Sequence, residues 1–384
     1  MIKVNNRLKT IDEYHFKKIE DKKRKLIKNG MKIIDLGIGD PDLVLNEDIK
    51  KELVKALDIK DVNKYPPYSG IEKLKLQVIK YYEDVFSIKL DLDEVIITIG
   101  SKEGISSLLP SISDIGDYVI VPNPGYQVYT AASNLWGAVP YKIPLTEKNN
   151  YLPKLKEIPE SVARKSKIFF INYPNNPTGA EAGEEFYKDI INFCERRNIL
   201  LVNDSAYNEI IKKESTPISL LQSDKNKSMI EIGSISKTYN MTGFRIGYVV
   251  GNRHVIKALL KVKSNIDSGQ FVPIQYAAAK AISLDRDEIN KSREIYDNRR
   301  NIAKKILKQK GIKYFDANAT FYVWCSVPKG YSTDEFCDKL LTDYGVVVTP
   351  GYCFGNLGYN FFRIALTTNI ENIETALSKF EDFK

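Results

Sequence analysis

Two histidines, His15 and His254, and four cysteines are all that 384 residues supply of those types. That scarcity excludes chemistry before any motif is considered. A histidine-based zinc site needs several imidazoles, and a Ser-His-Asp triad needs one correctly placed. Neither histidine stands in such a setting, so both are expected to be structural or exposed, and no metal site is expected. Cys194, Cys325, Cys337 and Cys353 have no short metal-ligand spacing and read as reduced thiols. No apolar run approaches the roughly 20 residues of a membrane-spanning helix. The amino terminus lacks the apolar core and small-residue cleavage site of a signal peptide. A cytoplasmic protein with no membrane partner is expected. Also missing are a Gly-x-x-x-x-Gly-Lys-Ser/Thr phosphate loop and the third glycine that would make Gly37-x-Gly39 a dinucleotide fingerprint, which argues against nucleotide binding.

Basic residues exceed acidic ones, 57 to 49, for a net charge of +8. They are interleaved with acids, as in Glu20-Asp-Lys-Lys-Arg-Lys25, so they read as a solvated lysine-rich surface rather than a nucleic-acid face. A modest positive field also gathers anionic substrates. The length exceeds a single core and suggests about two to three domains.

Apolar strand runs alternate with amphipathic helical stretches, the pattern of an α/β protein with a mostly parallel sheet between helices. The strand candidates are Val95–Ile99, Tyr118–Val121, Lys167–Ile171, Leu200–Asn203, Met229–Gly233 and Ile246–Val250. A long charged helix over about Asp285–Gln309 leads into a different pattern, with strands near Ala319–Val327, Gly345–Val348 and Phe361–Thr367. The simplest partition is a large domain over 46–285 and a smaller α+β domain from 1–45 and 286–384.

The most informative stretch is Ser234-Ile-Ser-Lys-Thr-Tyr-Asn-Met-Thr-Gly-Phe-Arg-Ile-Gly247. Lys237 lies among hydroxyl side chains, with Arg245 eight positions on. A lysine that must lose its proton and condense with an aldehyde needs this company, including a second cation to hold an anion. Most lysines are solvated surface groups, so the reading depends on the rest of the site. Val95-Ile-Ile-Thr-Ile-Gly-Ser-Lys-Glu-Gly104 runs a strand into a helix amino terminus, where free N–H groups can hold a phosphate near Ser101 and Lys102. Asp204 ends an apolar strand, where ligands of open α/β sheets collect, and could partner a protonated ring nitrogen. An ordinary strand-end aspartate capping the next helix would look the same. Tyr207 follows three positions on, and Asn176 sits in the turn Tyr173-Pro-Asn-Asn-Pro-Thr-Gly179, with its amide available to a phenolate oxygen. Tyr126 in Pro122-Asn-Pro-Gly-Tyr126 could stack on a ring, and Tyr65 in Lys64-Tyr-Pro-Pro-Tyr-Ser-Gly70 lies in a rigid loop that could present it outward. Arg363, inside the apolar run Phe361-Phe-Arg-Ile-Ala365, is costly to bury unless it meets an anion such as an α-carboxylate.

In this order, with Leu36-Gly-Ile-Gly-Asp-Pro-Asp42 ahead of them, these motifs resemble the class I/II aminotransferases of pyridoxal phosphate fold type I over nearly the whole chain. The resemblance implies that Lys237 binds pyridoxal 5′-phosphate covalently and then moves the proton at the substrate α-carbon. It makes Asp204 the partner of the pyridinium nitrogen, and Tyr207 and Asn176 the partners of the phenolic oxygen. Ser101, Lys102, Ser234 and Arg245 surround the phosphate, with Tyr65 offered to the neighbouring subunit of a homodimer. Tyr126 stacks on the ring, Arg363 clamps the α-carboxylate, and Gly39 lets backbone approach the substrate, which Tyr126 and Asn176 also reach. The activity implied is ping-pong transfer of an amino group between an amino acid and a 2-oxo acid.

Gly100-Ser-Lys-Glu-Gly104, Ser236-Lys-Thr-Tyr-Asn-Met-Thr-Gly243 and Asp267-Ser-Gly-Gln-Phe271 are most similar to the LL-diaminopimelate aminotransferase subfamily. There, positions matching Tyr14 and Lys102 face substrate. Aspartate, alanine or other donors remain alternatives, as does a β C–S lyase on the same fold. A ligand-sensing regulator would need a DNA-binding domain, for which the roughly 45 residues before the central unit leave little room.

Overall fold

The computed structural model describes residues 2–11 and 15–380. Its strands are β1 (Ile34–Asp35), β2 (Val95–Thr98), β3 (Tyr118–Asn123), β4 (Val139–Pro144), β5 (Ser166–Ile171), β6 (Leu200–Asp204), β7 (Ile230–Ser234), β8 (Gly247–Gly251), β9 (Tyr322–Ser326), β10 (Val346–Val347), β11 (Thr349–Pro350) and β12 (Phe361–Ala365). Seven of them form one sheet in the order β2-β8-β7-β6-β5-β3-β4. Within it β8 alone runs antiparallel to its neighbours. The inner strands are buried along their whole length, as continuous apolar runs covered by helices on both faces should be. One face packs Ile97, Phe169 and Leu201 beneath the helices Glu72–Phe86 and Val272–Ile282. The opposite face packs Ile96, Phe170 and Val202 against Gly100–Ile112 and Arg253–Lys263. Each such side chain taken fully out of water contributes about 1.5–3 kcal/mol.

Strand β4 was absent from the strands expected. Its burial is uneven and it carries Pro140 and Pro144, which fits an edge strand with few apolar positions to reveal it. Strand β7 carries an unexpected charge at its centre. Glu231 is fully buried and accepts hydrogen bonds from Tyr82 Oη (2.7 Å), Ser219 Oγ (2.9 Å) and the Leu220 N–H (3.0 Å). Those donors are what make a carboxyl tolerable there.

A second group of strands, β11-β12-β9, is antiparallel, and β1 pairs with β10 in parallel. The helices Arg286–Gln309, Thr333–Tyr344 and Ile370–Ser378 cover this layer, with Phe336, Phe362, Ile364 and Leu377 at its centre. Several strands are shorter than their apolar runs. Ile34–Asp35 is all that pairs of 32–36, because only Val346 and Val347 lie opposite.

Among the described residues no helix is long and apolar enough to cross a membrane. No group of three or more His, Cys, Asp or Glu among them could hold a metal ion.

Candidate active site

The carboxyl ends of β5, β6 and β7 share one edge of the seven-stranded sheet. Because β8 runs the opposite way, its beginning lies at that edge too. Gly247 is therefore in register with both Thr98 of β2 and Ser234 of β7. The segment around Thr98 thus meets the two around Ser234 and Gly247, which lie more than a hundred residues further along the chain, beside a cavity of about 1450 Å³. That exceeds the ~300–1,000 Å³ typical of a pocket for one small ligand.

Lys237 enters the cavity from a turn with a clear local cause. Ser234 ends β7 and caps the short helix Ile235–Thr238, its Oγ accepting from the Ser236 N–H at 3.2 Å. Lys237 Nζ then donates to the Gly39 carbonyl at 2.6 Å. Burial pushes its ammonium down to about 8; the Asp40 carboxylate opposes this, and the Arg363 and Arg245 cations add to it. A substantial neutral fraction near neutral pH makes this amine a nucleophile, which an ordinary lysine is not.

An anion cradle lies beside it. The helix Gly100–Ile112 begins at the sheet edge with Ser101 and Lys102 lining the cavity, and Ser234, Thr242 and Arg245 line it across from them. Arg245 Nη1 donates to the Thr242 carbonyl at 2.7 Å. The guanidinium lies so close to Gly100 that a Cβ there would sit 2.4 Å from Nη2, and Gly100 has φ +70°. A helix amino terminus, three hydroxyls and a guanidinium suit a phosphate.

Asp204 ends β6 and is 4% exposed. Burial raises its carboxyl to about 6, opposed by donation from Tyr129 Oη at 2.7 Å and from the Ala206 N–H at 3.3 Å. Among the described residues it has no cationic partner. Asn172 braces the same corner, donating to the Asp204 carbonyl at 2.7 Å and accepting from the Asn176 N–H at 2.8 Å. Tyr207 Oη pairs with Tyr322 Oη at 2.9 Å. Burial lifts the Tyr207 phenol well above its usual range, so it stays protonated.

Arg363, in β12, is 3% exposed and lines the cavity. Its Nη1 donates to Asn176 Oδ1 (2.8 Å) and its Nη2 to the Gly37 carbonyl (2.7 Å), while Nε has no partner. Its guanidinium stacks 4.0 Å from the Tyr322 ring centroid and 4.7 Å from that of Phe354. A buried cation held only by neutral groups among the described residues is a site waiting for an anion.

The cavity thus brings together Gly39, Ser101, Lys102, Tyr126, Asn176, Asp204, Tyr207, Ser234, Lys237, Arg245 and Arg363. Tyr126 meets Tyr129 edge-on, ring centroids 5.8 Å apart. Tyr65 does not join them; it is 86% exposed and outside the cavity. Tyr14 lies outside the described residues. Gly39 has a second neighbour besides any substrate, since a Cβ there would fall 1.9 Å from Tyr322 Oη. Tyr129, Tyr322 and Asn172 were not anticipated. Tyr129 carried a faint signal, one helical turn beyond Tyr126, whereas nothing set Tyr322 apart among 23 tyrosines.

This fold and site define a class of enzyme, and comparison with known proteins agrees. The family model for aminotransferase class I and II matches residues 31–380, and the chain belongs to that family of pyridoxal phosphate-dependent enzymes. Among individual proteins, it is 41% identical over 386 residues to the LL-diaminopimelate aminotransferase of Aquifex aeolicus, covering 100% of both chains. It superposes on the substrate-bound BacF structure from Bacillus subtilis with TM-score 0.95 and 32% identity, covering 100% of this chain and 98% of that one. The aspartate aminotransferase structure from Thermotoga maritima gives TM-score 0.93 at 29% identity, covering 99% of each chain.

The residues present fit the family's cofactor. An unpaired buried carboxylate suits a ring cation, the cradle suits a phosphate, and a lysine amine at about 8 suits an aldehyde.

Proposed function

We propose that this aminotransferase takes LL-diaminopimelate as amino donor and 2-oxoglutarate as acceptor. The observation that carries the reaction class is one cavity lined by the activated amine of Lys237, the buried carboxylate of Asp204 and the buried guanidinium of Arg363, the last two without an ion-pair partner among the described residues. The substrate choice is supported by the names of full-length relatives at about 41% identity.

When bound, pyridoxal phosphate supplies the electron sink that makes the α-hydrogen acidic. The protein does the rest. Asp204 keeps the ring nitrogen protonated, and Tyr129 orients that carboxylate. Ser101, Ser234 and Arg245 hold the phosphate, with Lys102 at its rim. Tyr207 and Asn176 bind the phenolic oxygen, and Tyr126 stacks on the ring. Arg363 grips the α-carboxylate. Lys237, once its amine is released, carries the proton at the substrate α-carbon.

Tyr65 serves the phosphate of a second subunit in a homodimer. Its exposure, with that of Tyr68 in the same loop, supports a partner surface there. Residues 46–285 form the cofactor-carrying domain, and 1–45 with 286–384 the smaller one. The separate apolar cluster around Phe336 and Phe362 supports that division. With no membrane-crossing helix among the described residues, a cytoplasmic location is the simplest reading.

A panel of donors assayed with 2-oxoglutarate tests the substrate. LL-diaminopimelate should give the highest kcat/KM against glutamate, aspartate and alanine. Preference for another donor, with none for diaminopimelate, would refute it. Pyruvate and ammonia released from cysteine conjugates without an acceptor would instead mark a β C–S lyase. In either case Lys237→Ala should abolish both turnover and the visible absorption of the holoenzyme.

A further inference from the structure

Tyr322 touches three parts of the site at once. Its hydroxyl lies 2.9 Å from Tyr207 Oη. The same oxygen occupies the space a Cβ on Gly39 would need, so it lies against the residue whose carbonyl holds Lys237 Nζ. Its ring lies under the Arg363 guanidinium, 4.0 Å from centroid to Cζ. It is 3% exposed, and its backbone is anchored by the Tyr322 N–H to Thr320 Oγ1 bond of 3.0 Å and by pairing with Ala365 across β9 and β12.

We propose that Tyr322 is a positioning residue with two separable parts: its hydroxyl tunes Tyr207 at the cofactor end, and its ring fixes Arg363 at the carboxylate end. This rests on the roles given above to Tyr207 and Arg363. The physical case for the hydroxyl is the chain of two phenols. When the Tyr207 hydroxyl donates its hydrogen bond to the phenolic oxygen, the Tyr322 hydroxyl is left to donate to Tyr207, and donation into a hydroxyl strengthens the bond that hydroxyl makes. The case for the ring is that among the described residues Arg363 has only neutral acceptors, so the aromatic face supplies attraction that no carboxylate there does. Stacking on the ring also restricts the plane in which the guanidinium lies beside the cavity. A carboxylate in that role would compete with the substrate's own.

Phe and Leu at this position separate the two parts. In Tyr322→Phe the ring remains and the hydroxyl goes. The midpoint of the pH-dependent colour change of the holoenzyme should rise by about half a pH unit or more, in the same direction as in Tyr207→Phe and by less. Its KM for the amino donor should stay within about twofold of the parent. In Tyr322→Leu the ring goes too, and KM for the amino donor should rise about tenfold or more. Titration of cofactor-free protein with pyridoxal phosphate reports loading independently of turnover.

An unmoved midpoint in Tyr322→Phe, with Tyr207→Phe shifting as expected, overturns the hydroxyl's role and leaves the proposed site intact. If neither variant moves it, the role of Tyr207 fails as well. A KM within about twofold in a folded, cofactor-loaded Tyr322→Leu overturns the ring's role. Should Tyr322→Leu not fold, Tyr322→Phe still decides the hydroxyl, and Tyr322→Trp, which keeps an aromatic face, decides the ring: a KM raised as far as that of Arg363→Lys counts against it.

Discussion

At the scale of single residues, the site sets two ionisable groups away from their ordinary values in complementary directions. Lys237 is pushed down to about 8 and Asp204 up to about 6, both mainly by burial. Attachment of pyridoxal phosphate to the cofactor-free protein should therefore speed up with pH around a midpoint near 8, not the ordinary 10.5; stopped-flow absorbance checks this. For Asp204 the sign follows from linkage. Its folded value lies above the ordinary 3.8, so between the two values the folded protein binds more protons than the unfolded chain. Ionising the buried carboxyl thus carries a stability penalty that is absent below about pH 4 and complete above about pH 6, about 3 kcal/mol for a shift of two units. Cofactor-free Asp204→Asn should accordingly melt at a higher temperature than the parent at about pH 7.5, with the gap narrowing toward pH 4. The same variant should bind pyridoxal phosphate more weakly. A gap independent of pH would show that Asp204 is not the strained group.

Elements bring these residues together by their direction. Parallel β5, β6 and β7 deliver their carboxyl ends to one edge, and the reversed β8 brings Arg245 there from its other side. The junction is tight enough to test. Gly100→Ala places a methyl 2.4 Å from Arg245 Nη2 on a backbone with φ +70°. The conformation costs about 1–2 kcal/mol for a residue with a side chain. Displacing a charged hydrogen-bond donor should weaken cofactor binding about tenfold or more. Fluorescence titration of the cofactor-free variant measures this; unchanged affinity would place the phosphate elsewhere. Most elements were legible in the sequence because their apolar runs are long and their helices strongly amphipathic. Strand β4 was not, since an edge strand with two prolines buries little. The turn after β7 stood out in the sequence only by its lysine among hydroxyls; that Ser234 ends the strand and caps a short helix is a finding of the structure.

At the scale of the whole molecule, the question is whether one chain makes a complete site. Tyr65 is exposed and outside its own cavity, and the proposal above gives it to a site shared between subunits. Lys237→Ala and Tyr65→Ala should then complement each other when dissociated, mixed and reassociated. Random pairing makes half the dimers mixed, each with one intact site, so about a quarter of the parent's activity should return. A mixture no more active than its components would mean that each chain supplies its own phosphate contacts. The dimer itself is checked by light scattering.

Chain order and side-chain chemistry together already pointed to the class of enzyme: the lysine among hydroxyls, the aspartate closing an apolar strand and the arginine inside another were each open to an ordinary reading, and became specific only as an ordered set resembling one family. What the tertiary structure decided was which neutral groups hold these charges. Tyr129 donates to Asp204, Gly39 accepts from Lys237, and Tyr322 lies between Tyr207 and Arg363. Those partners come from distant segments and from residue types too common to stand out. A charge in an apolar run announces itself wherever it occurs, whereas a tyrosine or a backbone carbonyl acquires its role only from what folding sets beside it.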